Sequence, residues 1–188
     1  MAGGPPLVLI SRALLGRGRG AAGDEARNVG RLIGVGVAVP HVFASTVIPA
    51  PVDQIWGFLR DFARVDVWHP DVTNVSIEGA DPGPRVGQER TITLRDGSVM
   101  RERLLALDDT QRSYTYSLIE SPLPISAHSS TVALFPVTTD DATFVSWSAD
   151  FAVEGSVPTG LTDAVRDQVM IVGFDGMRVR AATDSRRT

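Results

Sequence analysis

The sequence contains no cysteine, which excludes disulfides, thiolate metal sites and cysteine nucleophiles together. Lysine is missing too. All 18 basic residues are arginine, a mark of codon usage rather than of function. Histidine is scarce: His41, His69 and His128 are the three copies, and no two stand at the i, i+4 spacing that sets a pair of ligands on one helix face. No metal and no cofactor is expected. No apolar run approaches the roughly 18–20 residues needed to cross a bilayer, so no membrane span is expected. The acids outnumber the bases, with a net charge of −4, which argues against nucleic acid as a partner because phosphate binding needs clustered positive charge. Gly16-Arg17-Gly18-Arg19-Gly20 lacks the Gly-Lys-Ser/Thr ending of a phosphate loop and follows no strand. A serine-hydrolase elbow is also absent.

What is present is a globular composition, 43% hydrophobic and 21% charged, in 188 residues, a length that suits one domain with a real core. Residues 1–40 stand apart. They are rich in Gly, Ala and Arg, and their five arginines against Asp24 and Glu25 make them +3, leaving −7 for the remainder. Such a stretch buries too little apolar area to offset its ordering entropy, so it reads as a disordered or loosely docked extension, and removing residues 1–30 should leave stability unchanged. Within it, residues 32–39 are apolar enough to dock as a strand or a helix.

From His41 the pattern turns regular. His41–Ile48 reads as a strand, and Pro51 suits the start of a helix. Ile55, Trp56, Leu59 and Phe62 then share one helical face, until Pro70 closes the helical region. Strand-like segments follow at about 72–79, 87–94, 98–107, 112–120, 127–136 and 143–153, joined by turn signals such as Asp96-Gly97 and Asp108-Asp109. Short links imply an antiparallel meander. Residues 158–182 carry Leu161, Val165, Val169, Val172 and Met177 at helical spacing and read as one long C-terminal helix. The fold class is α+β: a curved antiparallel sheet of about seven strands, two short helices after the first strand, and a closing helix across the sheet. The domain spans 41–183, with a tail at 184–188.

One hairpin can be put in register from the sequence. A three-residue loop Arg95-Asp96-Gly97 puts glycine where a left-handed residue is needed. It sets Leu94 opposite Ser98, Ile92 opposite Met100, Arg90 opposite Glu102 and Gln88 opposite Leu104 on the apolar face, with Thr93/Val99, Thr91/Arg101 and Glu89/Arg103 on the wet one. A two-residue loop would set Arg90 against Arg103, like charges facing. Arg90 and Glu102 therefore stand side by side on the inward face, about 5 Å apart at Cβ. Two meanings remain open: an internal ion pair that fixes register, or a polar anchor or proton-transfer pair in a cavity. Tyr114, Tyr116 and Leu118 share a face on the next strand, and His128, Ser130, Val132 and Leu134 on the one after. Val145, Trp147, Ala149 and Phe151 form an apolar inward row against Ser146, Ser148 and Asp150 outside. An interior that is mostly apolar with a few placed polar groups has the chemistry of a ligand pocket.

These residues resemble a known family. The run Ile48-Pro49-Ala50-Pro51-Val52-Asp53-Gln54-Ile55-Trp56, with Asp61-Phe62, Trp68-His69-Pro70, Gly87-Gln88-Glu89-Arg90, Gly97, Val99, Glu102, Pro136-Val137 and Val145-Ser146-Trp147, is similar to the polyketide cyclase/dehydrase and lipid-transport family of the START-like (SRPBCC) superfamily. The likeness covers about residues 41–182. It implies a helix-grip fold with a hydrophobic cavity between sheet and helix. It also points toward the branch of the lachrymatory-factor synthase and the abscisic-acid receptors. In that synthase-like branch a cavity arginine and glutamate are thought to move a proton, and Arg90 and Glu102 occupy those places. Relatives often have tyrosine where this chain has His128.

The reading that follows is a domain binding a small, largely apolar molecule (lipid, polyketide or phenolic-like). Arg90 and Glu102 form its anchor, Arg90 holding a carboxylate, carbonyl or hydroxyl, with Tyr114, Tyr116, His128 and Trp147 as further ligand contacts. The alternative is a cofactor-free lyase, isomerase or cyclase in which Glu102 shuttles a proton and Arg90 stabilises an oxyanion. A ligand-gated interaction module, with Glu120-Ser121-Pro122-Leu123-Pro124 as its loop, ranks behind both. A cytoplasmic monomer or homodimer is expected.

Overall fold

The computed structural model describes residues 37–79 and 83–186, so the expectations for residues 1–36 lie outside the described residues. Among the described residues eight strands form the sheet: β1 (Val37–Ala38), β2 (His41–Ile48), β3 (Val72–Ile77), β4 (Glu89–Leu94), β5 (Val99–Asp108), β6 (Ser113–Glu120), β7 (Ser126–Val137) and β8 (Ala142–Glu154). Strands β3 to β8 run as an antiparallel meander, and β8 pairs on its other side with both β1 and β2. The 32–39 stretch thus contributes a short edge strand. Pro40 separates it from β2, and the Pro40 carbonyl accepts from the Phe151 amide.

Helix α1 (Val52–Leu59) begins directly after Pro51, which caps it rather than entering it, and buries Ile55, Trp56, Phe58 and Leu59. It stops earlier than the apolar spacing predicts. Asp61 accepts from the Ala63 amide and starts a separate 3-10 segment, Phe62–Val67, so Phe62 reaches the core from that segment and not from the helix. The far end of α1 is tied down by Asp109, which accepts from Trp56 Nε1 at 2.8 Å and from Arg60 at 2.7 and 2.8 Å. These bonds, that from Arg60 first, hold the Asp109 carboxyl down at about 2.

The β4–β5 hairpin turns through Arg95-Asp96-Gly97. Gly97 has φ +83°, its amide donates to the Leu94 carbonyl, and Leu94 pairs with Ser98. The pairs Glu89/Arg103, Arg90/Glu102, Thr91/Arg101, Ile92/Met100 and Thr93/Val99 all form. Bulges in the β5–β6 and β7–β8 pairings bend the sheet into a half-pipe. In β7 the bulge passes through Ala127, whose φ is +45°, and sets His128, Ser130, Val132 and Leu134 inward.

A 24-residue helix, α2, closes the half-pipe. It comprises an α-helical turn (Leu161–Ala164), a π-helical stretch (Val165–Ile171) and an α-helix (Val172–Asp184). Its apolar side packs Leu161, Met170, Phe174 and Met177 into the core, each at most 1% exposed. Two glycines set how close it lies. A Cβ on Gly176 would collide with the Trp68 carbonyl and come within 2.8 Å of Pro70, and one on Gly173 would sit 2.7 Å from the Trp147 ring. The helix therefore crosses the Trp68-His69-Pro70 loop almost backbone to backbone. Among the described residues, no helix is long and apolar enough to cross a membrane.

Candidate functional site: a cavity between sheet and helix

Curling the sheet without filling its hollow leaves a cavity of about 430 Å³, within the range of about 300–1,000 Å³ usual for small-molecule sites. Its floor is the inward face of the sheet, with Ile92, Leu94 and Met100 beside Tyr114, Tyr116 and Trp147. The opposite wall comes from Val65 and Trp68 on one side and from Val169 and Val172 of α2 on the other. Asp71, Arg95 and Asp96 also line it, and since Arg95 and Asp96 are exposed, they mark its opening beside the β4–β5 turn.

Arg90 and Glu102 occupy the polar end, 4% and 5% exposed. Arg90 Nε donates to Glu102 Oε2 at 2.6 Å, and Nη2 lies 2.6 Å from the same oxygen. Nη1 donates to the Phe62 carbonyl at 2.7 Å, and the guanidinium stacks 3.9 Å above the Phe62 ring. The charge is thus balanced by a carboxylate, a carbonyl and an aromatic face, the conditions under which burial of an ion pair is tolerated.

The neighbouring groups are held neutral. Burial pushes the Tyr114 phenol up to about 12, against the pull of the nearby Arg90 charge, and burial raises Tyr116 further. The Trp147 Nε1–H donates to Ser130 Oγ at 2.9 Å, and Ser130 donates to the Ser148 carbonyl at 2.8 Å. Trp147 therefore offers the cavity its ring and keeps its N–H behind. His69 lines the cavity with both nitrogens engaged: Nδ1 accepts from the Asp71 amide, and Nε2 faces the Val169 carbonyl at 3.3 Å. Burial lowers its pKa.

Of the site residues expected from the sequence, Arg90, Glu102, Tyr114, Tyr116 and Trp147 come together around one cavity. His128 stands outside its lining. It packs 5.7 Å behind the Tyr116 ring and takes the Leu118 amide on Nδ1 at 3.1 Å, while burial lowers its pKa to about 4. The sequence reading left out Phe62, Trp68 and His69. The signal for the last two was the Trp68-His69-Pro70 run itself. Among the described residues no cluster of histidine and carboxylates is arranged to hold a metal ion.

A curled antiparallel sheet gripping a long C-terminal helix, with a cavity between them, defines a helix-grip domain. The chain belongs to the polyketide cyclase/dehydrase and lipid transport family, whose model matches residues 40–185, a span that takes in the whole cavity. Similar solved structures include a protein from Nitrosospira multiformis, 27% identical with a TM-score of 0.66 over 78% of this chain and 99% of that one. A Thermobifida fusca protein is 26% identical with a TM-score of 0.63 over 76% and 93%. An uncharacterised protein from Bacillus thuringiensis is 24% identical with a TM-score of 0.63 over 74% and 96%; at that identity the likeness speaks for the fold alone. No curated protein matches the chain.

Proposed function

We propose that the chain binds a small, largely apolar molecule in this cavity, with Arg90 and Glu102 as its polar anchor. The observation that carries the reading is an ion pair less than 10% exposed at one end of a cavity otherwise walled by aliphatic and aromatic side chains. A pair serving only to fix strand register would need no open space in front of it. Tyr114, Tyr116 and Trp147 contact the apolar body, and family membership supports ligand binding or cyclase chemistry as the general class.

Titration with a neutral solvatochromic dye such as Nile red tests this. Saturable binding at one site per chain, competed by naphthalene, is expected. A linear, non-saturating response would overturn the reading. A proton-transfer role is the second reading, favoured by one observation: Glu102 uses only Oε2 toward Arg90. It requires that Glu102 exchange the α-hydrogen of a bound ketone with solvent. The check is deuterium incorporation in heavy water, lost in Glu102→Gln.

A further inference from the structure

The polar end of the cavity is not a bare cation. Arg90 commits Nε and Nη2 to one oxygen of Glu102 and Nη1 to the Phe62 carbonyl, so an incoming carboxylate would have to displace a carboxylate already in place or lie beside it. At a site this buried, like charges side by side are strongly unfavourable. Two neighbouring polar groups are also engaged: Trp147 Nε1 with Ser130, and the His69 nitrogens with the Asp71 amide and the Val169 carbonyl.

Two capacities beside the ion pair decide what it prefers. Among the described residues Glu102 Oε1 accepts no hydrogen bond, yet it is not sealed from the cavity space; a carboxylate oxygen can only accept. The Tyr114 hydroxyl lies in the field of Arg90, lines the same cavity and has an O–H to give. An acceptor and a donor lining one cavity are the complement of a hydroxyl group, which can both give and take a hydrogen bond. It is a poor complement for an anion, which only takes.

We infer that the cavity selects neutral, hydroxyl-bearing apolar molecules, such as alcohols, phenols or enols, over carboxylates of the same size, the hydroxyl donating to Glu102 Oε1. This rests on the cavity-binding reading and narrows its ligand class. Of the carboxylate, carbonyl or hydroxyl that the sequence lets Arg90 hold, it favours the hydroxyl, because Glu102 already supplies a carboxylate.

The test is a matched series of naphthalene, 2-naphthol and 2-naphthoate at about pH 7, followed by the fluorescence of Trp68 and Trp147. A hydrogen bond to a charged acceptor should make 2-naphthol bind at least about tenfold tighter than naphthalene, with 2-naphthoate the weakest of the three. In Glu102→Gln, Arg90 loses its counter-charge, and 2-naphthoate should gain at least about tenfold while 2-naphthol loses. If that variant does not fold, Tyr114→Phe serves: it should shrink the advantage of 2-naphthol over naphthalene. A wild-type protein that binds 2-naphthoate as tightly as 2-naphthol overturns the inference, and so does one that binds naphthalene and 2-naphthol alike. Either result leaves the cavity reading standing. That reading fails separately, if neither naphthalene nor Nile red binds.

Discussion

The β4–β5 hairpin carries ion pairs on both of its faces, and the two faces behave as different materials. Outside, Arg101 reaches Glu78, Glu89 and Glu120, and Arg103 joins Glu89; the arginine side chains there are 28% and 49% exposed. Inside, one residue along each strand, Arg90 and Glu102 are 4% and 7% exposed by side chain. The chemistry is the same on both sides and the solvent is not. Water screens the outer network, so each contact is weak and its loss is small. On the inner face both charges are largely withdrawn from water, so each depends on the other, and Arg90 also on Phe62.

The largest effect that separates the faces is a double-mutant cycle on the inner pair. Arg90→Met or Glu102→Leu alone strands a buried charge and should cost about 3–5 kcal/mol, while the double substitution should recover most of that. Chemical denaturation of the four proteins measures it. Small additive losses would erase the distinction between the faces.

Acid gives the next effect. His128 has its folded-state pKa lowered from 6.5 to about 4 by burial. The folded form therefore disfavours the proton that the unfolded chain accepts. The associated stability is fully present above about pH 6.5 and is lost as pH falls toward about 4, by up to about 3 kcal/mol. His69, also lowered by burial, acts in the same direction. On the outer face, Glu89 is held below its ordinary 4.5 by the Arg103 hydrogen bond, so its contribution is present above that pH and fades only below it. Stability measured against pH should then fall in two stages, the first from the inner face. A His128→Gln variant should flatten part of the first stage; an unchanged slope between pH 6.5 and 4 would show that His128 is not kept neutral by burial.

The smallest effect belongs to the outer network. Arg101→Met should move the melting temperature by no more than about 2 °C, and the difference should shrink further near about 1 M salt. A large, salt-insensitive loss would mean that the two faces are alike after all.

The hairpin was fully legible in the sequence because loop length, face alternation and charge signs all pointed to one register. Arg90, Glu102, Tyr114, Tyr116 and Trp147 could be placed inward by parity alone. His128 could be placed inward but not beside the cavity, since parity assigns a face and not a depth. What escaped depends on atoms the sequence does not distinguish. The Phe62 carbonyl that braces Arg90 is backbone, available at any residue, and it arrives there because Asp61 starts a new turn where helical spacing extrapolates one continuous helix. The π-helical stretch was equally hidden, because apolar residues at positions 165, 169 and 172 satisfy an α-helix as well.

The close crossing at Gly173 and Gly176 bears on how the protein is made. The His69–Val169 contact spans 100 residues and Gln54 reaches Ala181 across 127, so the helix that closes the cavity leaves the ribosome only after the whole meander. Synthesis runs at about 5–20 residues per second. For some seconds, then, the meander exists with Trp147, Phe151 and their neighbours uncovered, and ribosome-bound chains ending before Gly173 should recruit chaperones that chains carrying the whole helix no longer need.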